Sequence, residues 1–180
     1  MLLLYIFILV MLFSSIPYIK AMTKKASNGA TMRRMLEGRG VRFIPTNVFW
    51  YMGSVSGKRC DFVCIKDGRA IAVKVISFIS SNVFLEFIDE RHYGIKTVRK
   101  EAVDKDSLVY KTAKKRPYDF ESALPREAAG LPLAKVILVT EPIPSRITLR
   151  DGTASVDVHT GDNLPEGEYY TEESFIRLFR

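Results

Sequence analysis

The chain has 180 residues, of which 47% are hydrophobic, with two cysteines and a formal net charge of +7. That length suits a single folded core with whatever tethers it and leaves no room for a second domain. The basic excess, with a pI near 9.4, favours a partner rich in phosphate, either nucleic acid or anionic lipid.

Residues 1–19 carry no charged side chain and as a helix would span roughly 28 Å, close to a hydrocarbon core. This predicts a transmembrane anchor over residues 1–20. A cleaved signal peptide would want a basic leading region and a small-residue cleavage site, and neither is evident. Lys20, Lys24, Lys25, Arg33 and Arg34 follow the apolar run, so the positive-inside rule places the C-terminal bulk in the cytoplasm. A polar linker, 21–28, leads to a helix over Gly29–Glu37, capped by Ser27 or Asn28, with Met32, Met35 and Leu36 at helical spacing and Gly38 and Gly40 ending it.

"VRFIP" and "NVFWYMG" then read as extended segments, with a Gly/Ser/Lys loop, "GSVSGKR", after them. A strand over Cys60–Ile65, a turn at Lys66-Asp67-Gly68 and a strand over Arg69–Ser77 form a hairpin, Asp-Gly between alternating apolar runs being its signal. Within one extended strand Cys60 and Cys64 stand about 13 Å apart, too far for a disulfide or a shared metal. "NVFLEFID" is a further strand, and Arg91–Tyr118, lacking a sustained apolar period, reads as a long basic loop or irregular insertion. "DFESALPREAAGLPL" offers a helix of about two turns, "AKVILVT" a strand buried on both faces, "RITLRDGTASVDV" a second Asp-Gly hairpin, and "TEESFIRLFR" a closing amphipathic helix with acids in its first turn.

Side chains alternate along strands, so Asp61 shares a face with Val63 and Ile65, and Lys74 with Ala72 and Ile76. An aspartate before a Gly turn and an apolar strand, set behind one helix and ahead of another helix and a buried strand, resembles the restriction-endonuclease-like core of the PD-(D/E)xK nucleases. Within that superfamily it looks most like the nuclease-related domain, which in bacteria often follows an N-terminal transmembrane helix. The resemblance covers about residues 29–180. It implies an α/β fold, a mixed sheet flanked by helices, preceded here by the transmembrane helix. Where the family carries Glu-x-Lys, this chain has Lys74-Val75-Ile76. Two carboxylates normally hold the divalent metal and the lysine steadies the developing charge; Lys74 removes a ligand and Ile76 the lysine.

The resemblance therefore implies a degenerate site of Asp61 and Lys74, with Glu37 on the first helix as the acid most able to substitute and Glu86 as a weaker one. No cofactor is expected of it; Mg²⁺ or Mn²⁺, with Asp61 as a ligand, belongs to the alternative of an active nuclease with a migrated acid. Asp61 equally suits a strand cap, or a cross-hairpin pair with Lys74 at roughly 0.2–1 kcal/mol. His92 and His159 are isolated, with no second His or Cys at zinc-ligand spacing, and no serine-nucleophile motif or phosphate-cradling glycine loop occurs.

Between Arg91 and Arg116 nine basic residues (Arg91, Lys96, Arg99, Lys100, Lys105, Lys111, Lys114, Lys115, Arg116) face three acids (Glu101, Asp104, Asp106), a surplus of six. With Tyr93, Tyr110 and Tyr118 among them, Arg99, Lys100, Lys111, Lys114, Lys115 and Arg116 suit a phosphodiester backbone and stacked bases. Near a membrane they would suit anionic headgroups, and a solvated loop needs neither. The sequence thus points to a membrane-anchored domain that binds nucleic acid or a partner protein without cleavage, with a membrane-surface scaffold as a further alternative. Its oligomeric state is not legible.

Overall fold

The computed structural model describes residues 2–53, 60–100, 108–112, 116–117 and 124–180. A 36-residue helix, α1 (Leu2–Glu37), opens the chain and runs unbroken through the segment expected to be a linker. Its last turns belong to the fold: Met32 and Leu36 are buried in the core, and Gly38 and Gly40 follow where the helix ends. Among the described residues no helix is long and apolar enough to cross a membrane. The discrete transmembrane helix expected over residues 1–20 is corrected accordingly.

Among the described residues twelve strands follow in two sheets. The first sheet contains β1 (Arg42–Pro45), β2 (Phe62–Lys66), β3 (Arg69–Ile76), β8 (Leu133–Val139), β11 (Asn163–Leu164) and β12 (Gly167–Thr171), in the order β1-β2-β3-β8-β12-β11. Its centre is parallel, β3 to β8 and β8 to β12, and its flanks are antiparallel. The second contains β4 (Val83–Phe87), β5 (His92–Lys100), β6 (Leu108–Thr112), β9 (Arg146–Asp151) and β10 (Ala154–Asp157), in the order β10-β9-β4-β5-β6, with β7 (Arg116–Pro117) also paired to β5. A short helix, α2 (Glu172–Arg177), closes the chain.

Alternation divides the first sheet between two cores. Val63, Ala72, Ile76, Ile137 and Val139 pack against Val83, Leu85, Phe87 and Ile147 of the second sheet. Phe62, Val73, Val136 and Leu138 pack on the opposite face with Met32 and Leu36 of α1 and Phe175 of α2. The result is three layers: second sheet, first sheet, helices. Each large apolar side chain so buried contributes roughly 1.5–3 kcal/mol before entropy is charged against it.

This architecture corrects the expected restriction-endonuclease-like sheet flanked by helices. The parallel connection from β3 to β8 passes through strands of the second sheet, so that face is covered by strands and the helices lie on the other. The basic stretch expected as a loop supplies β5, β6 and β7. Charges interleaved with Tyr93, Ile95, Thr97 and Val98 obscured its alternation. The helix expected near residue 125 is only a 3₁₀ turn, Arg126–Ala128, within the described residues, residues 118–123 lying outside them; the loop at 54–59 does too. "NVFWYMG" is not extended either: the Asn47 side chain accepts a hydrogen bond from the Phe49 N–H at 2.9 Å, bending the chain into a 3₁₀ turn, Trp50–Met52.

Other elements match their sequence signals. Asp67 and Gly68 adopt positive φ of 51° and 71° between the paired residues Lys66 and Arg69, as a type I′ hairpin requires. The second hairpin is present but does not turn on Asp-Gly: Asp151 pairs with Ala154, so Gly152, at φ 59°, and Thr153 form the turn. β8 occupies the middle of the parallel strands, and α2 starts with a capping box between Thr171 and Ser174.

Gly29 sets how closely α1 lies on this body. In a helix interior, alanine ordinarily stabilises by roughly 1 kcal/mol over glycine. A Cβ at Gly29 would instead stand 2.8 Å from Cγ of the buried Tyr51. Gly29→Ala is expected to lower the thermal unfolding midpoint, and a raised midpoint would show that the ring yields.

Candidate functional site

Asp61 stands where β2 loses its ladder with β3. Its N–H still donates to the Val73 carbonyl at 2.8 Å, but beyond that point the carboxylate replaces the backbone: Oδ2 accepts from the Val75 N–H at 2.8 Å. Oδ1 accepts from Asn47 Nδ2 at 3.2 Å. The Asp61 carbonyl takes the Thr46 N–H at 3.1 Å, and the Thr46 hydroxyl donates to the Cys60 carbonyl. Asp61 therefore fastens β3, the start of β2 and the loop after β1 at one buried point, at 0% exposure. Both oxygens face N–H donors, an arrangement that serves a strand cap.

The hairpin register pairs Phe62 with Val73, and continuing it sets Asp61 opposite Lys74. Lys74 is only 2% exposed and follows Ala72 on the strand face that meets the second sheet. Asp61 and Lys74 both act on the Cys60 thiol, which burial pushes up, so the two charges do share one neighbourhood. Ile76 is buried in apolar surroundings. The two free cysteines, Cys60 and Cys64, fall in different cores.

The acids expected to substitute do not join Asp61. Glu37 ends α1 in the helix layer, where it pairs with Arg33 at 2.8 Å on the surface. Glu86 is 3% exposed in the second sheet, where it pairs with Arg150 at 2.8 Å and Lys96 at 3.0 Å and accepts a bond from Ser155 at 3.1 Å. No group of three or more metal-ligand side chains occurs among the described residues. A divalent cation bound by protein takes several oxygen ligands, and this neighbourhood brings together one carboxylate and an ammonium.

Comparison with family models, curated proteins and solved structures finds no match. The site must therefore be read from its own chemistry.

The basic residues fall on neighbouring strands. β5 and β6 pair antiparallel, with Lys96 opposite Thr112, Thr97 opposite Lys111, Arg99 opposite Val109 and Lys100 opposite Leu108. Arg116, on β7, is paired to Tyr93 and its guanidinium acts on that ring's hydroxyl; burial is the larger influence and raises the Tyr93 pKa. Tyr93 is buried, so it is not the stacking platform the sequence suggested. Lys105, Lys114, Lys115 and Tyr118 lie outside the described residues.

Sequence reasoning missed a second polar cluster, at the carboxyl ends of the parallel strands. Lys25 of α1 is buried and donates from Nζ to the hydroxyl of Ser77, the residue after β3. Beside them Thr140, after β8, is fully buried with a hydroxyl that has no partner among the described residues. Glu172 of α2 accepts from the Tyr51 hydroxyl and, at 2.6 Å, from the Glu141 N–H. Burial lowers the Lys25 pKa, with Glu172 acting against it. No local pattern announces this cluster, because Lys25 and Ser77 are 52 positions apart.

Glu86 gives a pH test of the second sheet. Burial alone would raise its carboxyl, yet Lys96, Ser155 and Arg150 outweigh that and hold it below the ordinary 4.5. A depressed carboxyl contributes stability that is full above the unfolded value and lost as pH falls through the folded one. Glu86→Gln is thus expected to be less stable than the natural chain at pH 7, with the gap closing below pH ~4.5. A gap of equal size in denaturant titrations at pH 3 and pH 7 would contradict the role of this ion cluster.

Proposed function

We propose that this chain binds nucleic acid without cutting it, through the basic strands at the edge of the second sheet. The observation that carries the reading is the pairing of β5 with β6: the two strands hold Lys96, Arg99, Lys100 and Lys111 and no acidic residue. Strands fix the spacing of these cations, whereas a free loop would pay entropy to align them. A cationic ribbon of this kind tracks phosphates, releases counterions and reads little sequence. Lys96 is partly neutralised by Glu86, which leaves Arg99, Lys100 and Lys111 as the other basic residues in the sequence of these two strands.

The hairpin supports the non-cutting half of this reading. Asp61 uses its oxygens on Val75 and Asn47, Lys74 sets an ammonium where a metal would need a carboxylate, and Ile76 offers no polar atom.

Binding of a fluorescent duplex, followed by anisotropy across a salt series, tests the reading. Each phosphate contact contributes about 0.9 to the slope of log K against log salt. The triple variant Arg99→Gln, Lys100→Gln, Lys111→Gln should flatten that slope by up to about 3 and weaken binding at low salt. Unchanged slope and affinity would remove the ribbon from the interface, and Mn²⁺-dependent plasmid nicking that Asp61→Ala abolishes would refute the non-cutting half.

A further inference from the structure

β5 and β6 stay paired after the rest of the second sheet has ended. β4 begins at Val83, opposite Thr97, and the chain before it turns, with the Asn82 N–H donating to Ser80 Oγ at 3.1 Å. The ladder with β6 nevertheless continues through Val98 opposite Tyr110, Arg99 opposite Val109 and Lys100 opposite Leu108. β6 is the edge of its sheet among the described residues. From Val98 onward the pair is therefore a two-stranded stem, and no third strand among the described residues flanks it.

Alternation divides the cations of this ribbon between its two faces. Tyr93 and Ile95 of β5 belong to the core between the sheets, so Thr97 and Arg99 continue that face and Lys96 and Lys100 the opposite one. Lys111, opposite Thr97, falls on the face of Arg99. The ion pair of Lys96 with Glu86 agrees with this division, because Glu86 alternates with the core residues Leu85 and Phe87. Neighbours Arg99 and Lys100 thus stand on opposite faces of the stem, and neither strand holds an acid that would offset them.

That division restricts the shape of the partner. A flat anionic surface, such as a layer of lipid headgroups, meets one face of a ribbon and leaves the cations of the other in water. A groove offers a phosphate wall on each side. The major groove of B-form DNA, about 12 Å wide, admits a two-stranded ribbon, whose backbones lie about 4.8 Å apart. The minor groove, about 6 Å wide, is too narrow for two backbones with their side chains, and the major groove of an RNA duplex is too deep and narrow for side chains to reach into.

We propose, building on the nucleic-acid reading above, that the β5–β6 stem enters the major groove of duplex DNA, with Arg99 against one phosphate wall and Lys100 against the other. Lys111 and Lys96 stand at the base of the stem on the same two sides. The stem is the part of the second sheet narrow enough for this, since β4 and β9 widen it from Thr97 back.

The test is a salt series by anisotropy on the full chain, with three fluorescent probes of one sequence: a DNA duplex, its single strand and the matching RNA duplex. The DNA duplex should bind most tightly, and methyl green, a major-groove ligand, should displace the protein from it where netropsin, a minor-groove ligand, does not. Arg99→Gln and Lys100→Gln, made separately, should each reduce the slope of log K against log salt on the DNA duplex by about 0.9. If only one of them does so, one face alone meets the partner; the groove is then wrong while the nucleic-acid reading stands. Equal affinity for the DNA and RNA duplexes, or displacement by netropsin alone, has the same meaning, and neither result depends on a variant folding. If none of the three probes binds at low salt, or anionic vesicles bind the chain and nucleic acid does not, both the groove and the nucleic-acid reading fall.

Discussion

The fold is fastened where the Asp61 carboxylate takes the Val75 N–H. β3 continues past the point at which β2 can pair with it, so its amide would otherwise meet no acceptor inside the protein. Leaving a buried donor unmade costs roughly 1–3 kcal/mol. A carboxylate there meets the need and has a second oxygen to spare, and that oxygen holds Asn47. Asn47 in turn bends the chain into the 3₁₀ turn that delivers Trp50 and Tyr51 to the helix layer. One buried acid thereby orders a hairpin, a loop and the seat of α1.

Consequences run outward from that point through packing. With β3 held, Ala72 and Ile76 meet the second sheet while Val73 and Val75 meet the helices, and the same alternation continues into β8 and β12. The carboxyl ends of those strands gather Ser77, Thr140 and Glu172 under Lys25 of α1. The helix cannot withdraw without exposing Met32 and Leu36 and leaving Tyr51 without its neighbour at Gly29. On the far side, Glu86 binds β4, β5 and β9 together through Lys96 and Arg150, which secures the sheet whose edge carries the basic strands.

What the sequence disclosed and what it hid have physical reasons. Asp67-Gly68 was legible because only a few residue types tolerate two successive positive φ angles, and β8 was legible because a strand covered on both faces is apolar almost throughout. β5 escaped notice because its cations interrupt the alternation. β11 and β12 went unforeseen because they are short, and β12 earns its place through parallel pairing with β8. The opening apolar run suggested a helix of its own, whereas α1 continues from it into the core. Asp61 was singled out from the sequence, where two roles fitted it. Geometry favours the strand cap, since the acids that would complete a metal site, Glu37 and Glu86, lie in other layers.

The account rests on Asp61 acting as a structural acceptor. Denaturant unfolding of the natural chain and of Asp61→Ala, each with and without millimolar Mn²⁺, tests that directly, because a ligand that binds only the folded state raises stability by mass action. Loss of about 1–3 kcal/mol in the variant is predicted from the unmet Val75 donor, equal with and without the ion, and the natural chain's midpoint should not move. A midpoint that rises with Mn²⁺ in the natural chain but not in Asp61→Ala, with the two chains equally stable in its absence, would show instead that Asp61 is a metal ligand.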